Sequence, residues 1–141
     1  MSEFDKNYIE FLNDLKSKIL TSRYQTVRIV NTELILLYWE IGQALLQRQK
    51  SEGWGSQVIQ RLAHDLNKNF PEMKGFSYRN LKYMRQFALE WSTQSIRQQA
   101  VAQLPWGHNI VLLQKITNNP DRLWYAQQPC TSLSLTLLII F

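Results

Sequence analysis

Apolar side chains recur three and four residues apart along most of the chain, and each such run predicts an amphipathic helix. The first run spans Tyr8 to Leu20, with Tyr8, Ile9, Phe11, Leu12, Leu15, Ile19 and Leu20 forming a broad stripe. Thr21-Ser22 follows, and short hydroxyl side chains of this kind favour caps without forbidding a continuous helix. The second run is the most regular: Val27, Val30, Leu34, Leu37, Ile41 and Ala44 alternate at the two spacings, and Leu36, Tyr38, Trp39, Leu45 and Leu46 widen the face. Such a seam can join two chains as a coiled coil, but the extra apolar positions favour a helix buried on several sides within one chain.

Ser51-Glu52-Gly53-Trp54-Gly55-Ser56 ends that helix, with glycine supplying a left-handed exit and Ser56 able to cap the next helix. A third helix is predicted from about Gln57 to Asn69 through Val58, Ile59, Leu62, Ala63 and Leu66, and Pro71 stops it. Ser77 is placed as the N-cap of a fourth, reaching Trp91 with Leu81, Met84, Ala88 and Trp91 inward. Shorter pieces follow at Ile96–Leu104, at Asn109–Ile116 and, after the Asn118-Asn119-Pro120-Asp121 turn, at Arg122–Ala126. In Pro105-Trp106-Gly107-His108-Asn109, Trp106 is expected to pack on the core and Gly107 to permit a tight corner. After Arg122 no charged side chain remains, and the Leu/Ser/Leu/Thr/Leu alternation near the end has no visible strand partner. Residues 1–127 are therefore expected to form one domain and 128–141 a disordered or poorly packed tail. That tail falls far short of the roughly 20 residues needed to cross a bilayer.

Composition sharpens the class. The 141 residues are 45% apolar, with only five Gly and four Pro, a poor supply for the turns of a β-protein. The expected class is all-α, a compact multi-helix domain with a helix-turn-helix-like unit at about 57–91. One cysteine, Cys130, excludes an intrachain disulfide and a cysteine-based zinc site. With no basic start and apolar run of a secretory signal, the expected location is the cytoplasm.

The net charge is +5, and its distribution carries more than its size. Residues 1–53 hold seven basic and seven acidic side chains, residues 54–97 hold seven and three, and the remainder two and one. A basic excess confined to one segment is either a solvated helix face or a face for a polyanion, whose neutralisation requires dense Lys and Arg.

Catalytic constellations are not evident. His64 and His108 fall in different elements without Cys or carboxylate at ligand spacing, so no metal or cofactor is expected. Gly53-Trp54-Gly55 lacks the strand and the further glycine of a phosphate loop. Glu72-Met73-Lys74 and Pro120-Asp121 reproduce the two halves of a PD-(D/E)xK signature, but in reverse order and in turns between helices. The chain is expected to be no enzyme and to take no small-molecule substrate.

What remains is the pair of helices at about 57–69 and 78–91. The second carries Ser77, Tyr78, Arg79, Asn80, Lys82 and Arg85 near its N-terminal end, the end that helix-turn-helix proteins insert into the major groove. Arg79, Lys82 and Arg85 fall together opposite the apolar stripe at about 100° per residue. These six are the candidate DNA-contacting residues. Leu34, Leu37, Tyr38 and Ile41 are the candidate face for a second copy of the chain or another protein, and no membrane partner is expected.

Several strings together resemble the N-terminal domain of the YhcG-type family of bacterial proteins. They are Val30–Leu34 with Leu37–Gly42, Gly53-Trp54-Gly55, Phe76–Phe87, Gln103–Asn109, and Arg122 with Trp124-Tyr125-Ala126. The resemblance covers roughly residues 8–127. It implies a helical domain that precedes a PD-(D/E)xK nuclease domain, with a role in DNA processing or defence against foreign DNA. It also implies that the chain stops before the nuclease, as the product of a frameshifted or truncated gene.

Overall fold

Helix α1 (Glu3–Gln25) opens with Glu3 and Asp5 in its first turn, where carboxylates favour the positive end of the helix dipole. It lies against α2 (Asn31–Glu52) and α3 (Ser56–Asn69) through Tyr8, Phe11, Leu15 and Ile19, all buried. The chain continues through α4 (Tyr78–Glu90), a 3-10 turn (Ala100–Gln103), α5 (Trp106–Lys115) and α6 (Asn119–Ala126). The computed structural model describes residues 2–25, 31–92, 96 and 99–127. The domain is all-α, and among the described residues there is no strand. Val27, Val30, the Thr93–Ser95 connection and the apolar tail from 128 lie outside the described residues. No helix among the described residues is long and apolar enough to cross a membrane.

Helices α2 and α4 form the centre of the domain, and Gly42 sets how closely they pack. A methyl group at Gly42 would collide with the Met84 carbonyl and lie 2.8 Å from Ala88 Cβ, so only glycine allows this approach. Two α2 side chains then finish the end of α4. Trp39 Nε1 donates to the Trp91 carbonyl at 2.6 Å, and Gln43 Nε2 to the Ala88 carbonyl at 3.3 Å. The last carbonyls of a helix have no partner within it, so these bonds satisfy groups that burial would otherwise penalise.

Punctuation follows local chemistry in most places. Gly53 leaves α2 at φ 69°, the left-handed exit expected of it. Ser77 Oγ accepts from the Asn80 amide at 3.1 Å, a cap worth about 1 kcal/mol. Ser56 departs from expectation: it is the first helical residue, and Gly55 holds the cap position without a side-chain bond. Thr21 does not break α1, because its hydroxyl donates back to the Ser17 carbonyl within the helix.

The C-terminal third is more compact than periodicity suggests. Where the predicted Ile96–Leu104 helix is described, its backbone bonds close three residues apart, Gln99 N to Ile96 O, Ala102 N to Gln99 O and Leu104 N to Val101 O, and side chains add to its carbonyls. Asn109 Nδ2 donates to Val101 O at 3.0 Å, and Asn31 Nδ2 to Leu104 O at 2.9 Å. Helix α5 starts at Trp106 rather than Asn109, since Pro105 at φ −56° is already set for a helix start. Gly107 lies inside that first turn without positive φ, so the corner belongs to Pro105 and not to Gly107. Helix α6 likewise begins early, at Asn119, where Asn118 accepts from the Asp121 amide at 2.9 Å.

Two hydrophobic clusters result, one among α1, α2, α3 and the start of α4, the other beneath α5 and α6, and Trp106 packs on both. Its ring meets Tyr38 at 5.0 Å and Phe87 at 5.4 Å, both edge-on. Arg122, 2% exposed, closes the far end of the second cluster. Its Nε and Nη2 reach the Ile116 carbonyl, Nε also reaches Leu112 O at 3.2 Å, and Nη1 lies 3.4 Å from Glu90. A cation thus neutralises the C-terminal carbonyls of α5 while tying α6 to α4.

Two variants test these joints in urea unfolding. Gly42→Ala gains about 1 kcal/mol of helix propensity but forces α2 from α4, and a net loss of about 1–2 kcal/mol is expected. Arg122→Ala leaves the Ile116 carbonyl without its guanidinium donors, while Leu112 O keeps the Ile116 amide, for an expected loss of about 1–3 kcal/mol.

Candidate nucleic-acid interface

The outward face of α4 is the floor of a groove of about 820 Å³, walled on one side by Leu46 and Gln49 of α2. Arg79, Lys82 and Arg85 all line it, as the helical spacing requires, together with Tyr78, Tyr83, Gln86 and Leu89. Among the described residues, no carboxylate lines it. Three other surface grooves of about 520–760 Å³ each include one: Glu40, Asp14 and Glu52 respectively.

The basic side chains are ordered by aromatic neighbours. Lys82 Nζ sits 4.9 Å from the Tyr78 ring centroid, and Arg79 Cζ lies 5.5 Å from that of Tyr83. Both pairs are four residues apart, the spacing at which helix side chains meet. Arg85 Nη1 reaches Gln49 Oε1 at 3.5 Å, which holds it toward α2. Tyr83 Oη accepts from Arg79 at 3.4 Å and from Gln114 of α5 at 2.5 Å. These donors, Arg79 foremost, hold the Tyr83 hydroxyl below the usual tyrosine range.

The six candidate residues divide into two groups. Tyr78, Arg79, Lys82 and Arg85 share the groove. Ser77 and Asn80 do not line it and are engaged within the chain. Ser77 is the cap, while Asn80 Nδ2 donates to the Gly75 carbonyl at 2.8 Å and Asn80 Oδ1 accepts from Trp106 Nε1 at 2.8 Å. The tip of α4 is thereby pinned to the preceding turn and to α5. That turn, residues 70–77, is held by its own buried Phe70 and Phe76, and by Asn67 donating to Phe76 O at 3.0 Å.

The four residues of the candidate assembly face lie within or against the chain's own packing, which the extra apolar positions of α2 favoured. Leu37, Tyr38 and Ile41 are buried in the first cluster, and the partly buried Leu34 packs against it. The regular α2 stripe is spent on the chain's own core, and burial pushes the Tyr38 hydroxyl pKa up. Four groove residues escaped the sequence reading. Tyr83 had a local signal, its position four residues after Arg79. Leu89 stands on the same helix, whereas Leu46 and Gln49 come from α2, and the spacing along the chain gives no sign that they join it.

Among the described residues no three His, Cys, Asp or Glu side chains lie together. His64 is exposed on α3, and His108 stands in the first turn of α5. Glu72 and Lys74 sit in the α3–α4 turn, while Asp121 accepts from Asn118 at the start of α6.

Fold and groove define an all-α domain with a cationic, aromatic channel along a central helix. The chain belongs to the DUF1016 N-terminal domain family, whose model matches residues 14–135 and so runs past 127 into the charge-free segment. The protein called "Putative nuclease YhcG" from Escherichia coli strain K12 is 34% identical over 82 residues, in agreement with a YhcG-type N-terminal domain. That alignment covers 55% of this chain and 21% of that protein, so the chain matches about a fifth of its relative's length. No solved structure matches the chain significantly.

Tyrosine titration by near-ultraviolet absorbance tests the local electrostatics. Tyr83 should ionise below the ordinary value of about 10, and Tyr83→Phe should delete that early step. Tyr8, buried and donating to Asp65 at 2.7 Å, should ionise well above it. The signs differ. The depressed Tyr83 contributes stability above about pH 10 that fades as pH falls through its folded value, leaving neutral pH unaffected. The raised Tyr8 contributes stability below about pH 10 that is lost at higher pH.

Proposed function

We propose that this domain is a non-catalytic DNA-binding module that targets a YhcG-type nuclease to its substrate. The observation that carries the reading is the α4 groove, where Arg79, Lys82 and Arg85 stand with no carboxylate among the described lining residues. Phosphate neutralisation needs locally dense cations, and a carboxylate within the same channel would oppose it. Membership of a family with a relative named as a nuclease supports nucleic acid over other polyanions. In this reading the domain holds DNA and leaves bond cleavage to a separate nuclease domain.

Fluorescence anisotropy with labelled single-stranded, duplex and branched DNA at about 50 mM salt tests it, because low salt favours phosphate binding most. Binding is expected to at least one form and to weaken as salt rises. Arg79→Ala/Lys82→Ala/Arg85→Ala should flatten the slope of log affinity against log salt by about 2–3, at roughly 0.7–0.9 for each phosphate no longer neutralised. The triple variant should unfold at the same urea concentration as the parent, since none of the three side chains belongs to the core. Absence of binding to all three forms, or an unchanged slope in the triple variant, overturns the proposal.

A further inference from the structure

The geometry points to unpaired DNA as the occupant of the α4 groove, its bases stacked on Tyr78 and Tyr83 while its phosphates meet Arg79, Lys82 and Arg85. This inference rests on the DNA-binding reading above and narrows it.

Three observations favour single strands over base readout in a duplex. The first concerns the helix tip. Sequence-specific readout in the major groove needs free donors and acceptors near the start of the helix. Here Asn80 spends its amide on Gly75 and Trp106, and Ser77 spends its hydroxyl on the cap. Asn80, the side chain best suited to base edges, is thereby drawn into the fold, and the exposed Ser77 has its oxygen engaged in the cap.

The second is the alternation of cation and ring. Each tyrosine of the groove carries its own cation, Lys82 at the Tyr78 ring and Arg79 at the Tyr83 ring. A face built only to meet the phosphates of a duplex has no use for rings, because duplex bases are already stacked on one another. Unpaired bases each present a π-face, and rings interleaved with cations are the platform on which single strands bind. The guanidinium plane of Arg79 extends the same platform.

The third is apolar surface inside the charged groove. Leu89 is 63% exposed and lines the groove with Leu46, toward the C-terminal end of α4. The sugar-phosphate exterior of a duplex offers only sugar C–H edges to cover it, whereas a splayed base offers a whole ring face. Charge complementarity and apolar area thus ask for the same ligand.

The test is anisotropy of the full chain with labelled oligo(dT) of about 15 nucleotides, within the ~4–16 nucleotide site sizes of known single-strand modules. A duplex and an oligo(U) RNA of equal length serve as competitors. Oligo(dT) is expected to bind at least about tenfold tighter than the duplex and tighter than the RNA. Tyr78→Ala/Tyr83→Ala should weaken oligo(dT) binding by roughly 5- to 100-fold per stacked base while leaving duplex binding nearly unchanged. Tyr78→Phe/Tyr83→Phe, which keeps both rings, should restore it, separating stacking from loss of fold. Duplex binding as tight as oligo(dT), or alanine variants without effect, overturns this inference while the DNA-binding reading survives. Preference for RNA overturns the commitment to DNA. Failure of every DNA to bind overturns both readings.

Discussion

The close crossing of α2 over α4 at Gly42 is the constraint on which the other parts depend. With a side chain there, α2 would stand off from the Met84 carbonyl, and Trp39 and Gln43 would lose their reach to the end of α4. That separation would also widen the groove, whose α2 wall is Leu46 and Gln49, one turn or two beyond the glycine. The distance that packs the core is thus the distance that shapes the candidate interface. Close packing transmits such a change because side chains interdigitate with few voids to absorb it.

Trp106 and Arg122 extend the arrangement to the remaining helices. Trp106 fills the space between two hydrophobic clusters and, through its indole N–H, holds the Asn80 amide that pins the tip of α4. A partly buried indole N–H needs an acceptor, and supplying it from Asn80 converts a packing residue into a positioning one. Arg122 does the corresponding work with charge, satisfying carbonyls of α5 and pairing with Glu90 of α4. Its burial is tolerated because the guanidinium meets carbonyl acceptors and a carboxylate. Both residues brace α4 from behind, leaving its cations and tyrosines forward.

Much of the helical architecture is legible in the chain because amphipathic spacing is a local property. The four long helices, the exit at Gly53, the cap at Ser77 and the inward positions Leu81, Met84, Ala88 and Trp91 follow from periodicity and side-chain chemistry within a few residues. Where the observed boundaries differ most, the cause is non-local. The 3-10 turn at Ala100–Gln103 and the Leu104 after it receive side-chain donors from Asn109 and Asn31, and Asn31 is more than 70 residues away in sequence. The α2 stripe shows the same limit: its spacing is compatible with a partner helix in another chain, its extra apolar positions favour the chain's own core, and burial places Leu37, Tyr38 and Ile41 there.

By itself the sequence determined that the chain is helical, that its cationic excess lies in the middle segment, and that Arg79, Lys82 and Arg85 share a helix face. Each of these rests on composition or on the 3.6-residue period, which a linear string contains in full. Only the tertiary structure decided that Asn80 serves the fold, that Tyr83, Leu46, Gln49 and Leu89 join the groove, and that no carboxylate among the described residues enters it. Those facts depend on which helices meet and how closely. That is set by a glycine, a tryptophan and a buried arginine acting between residues distant in the chain.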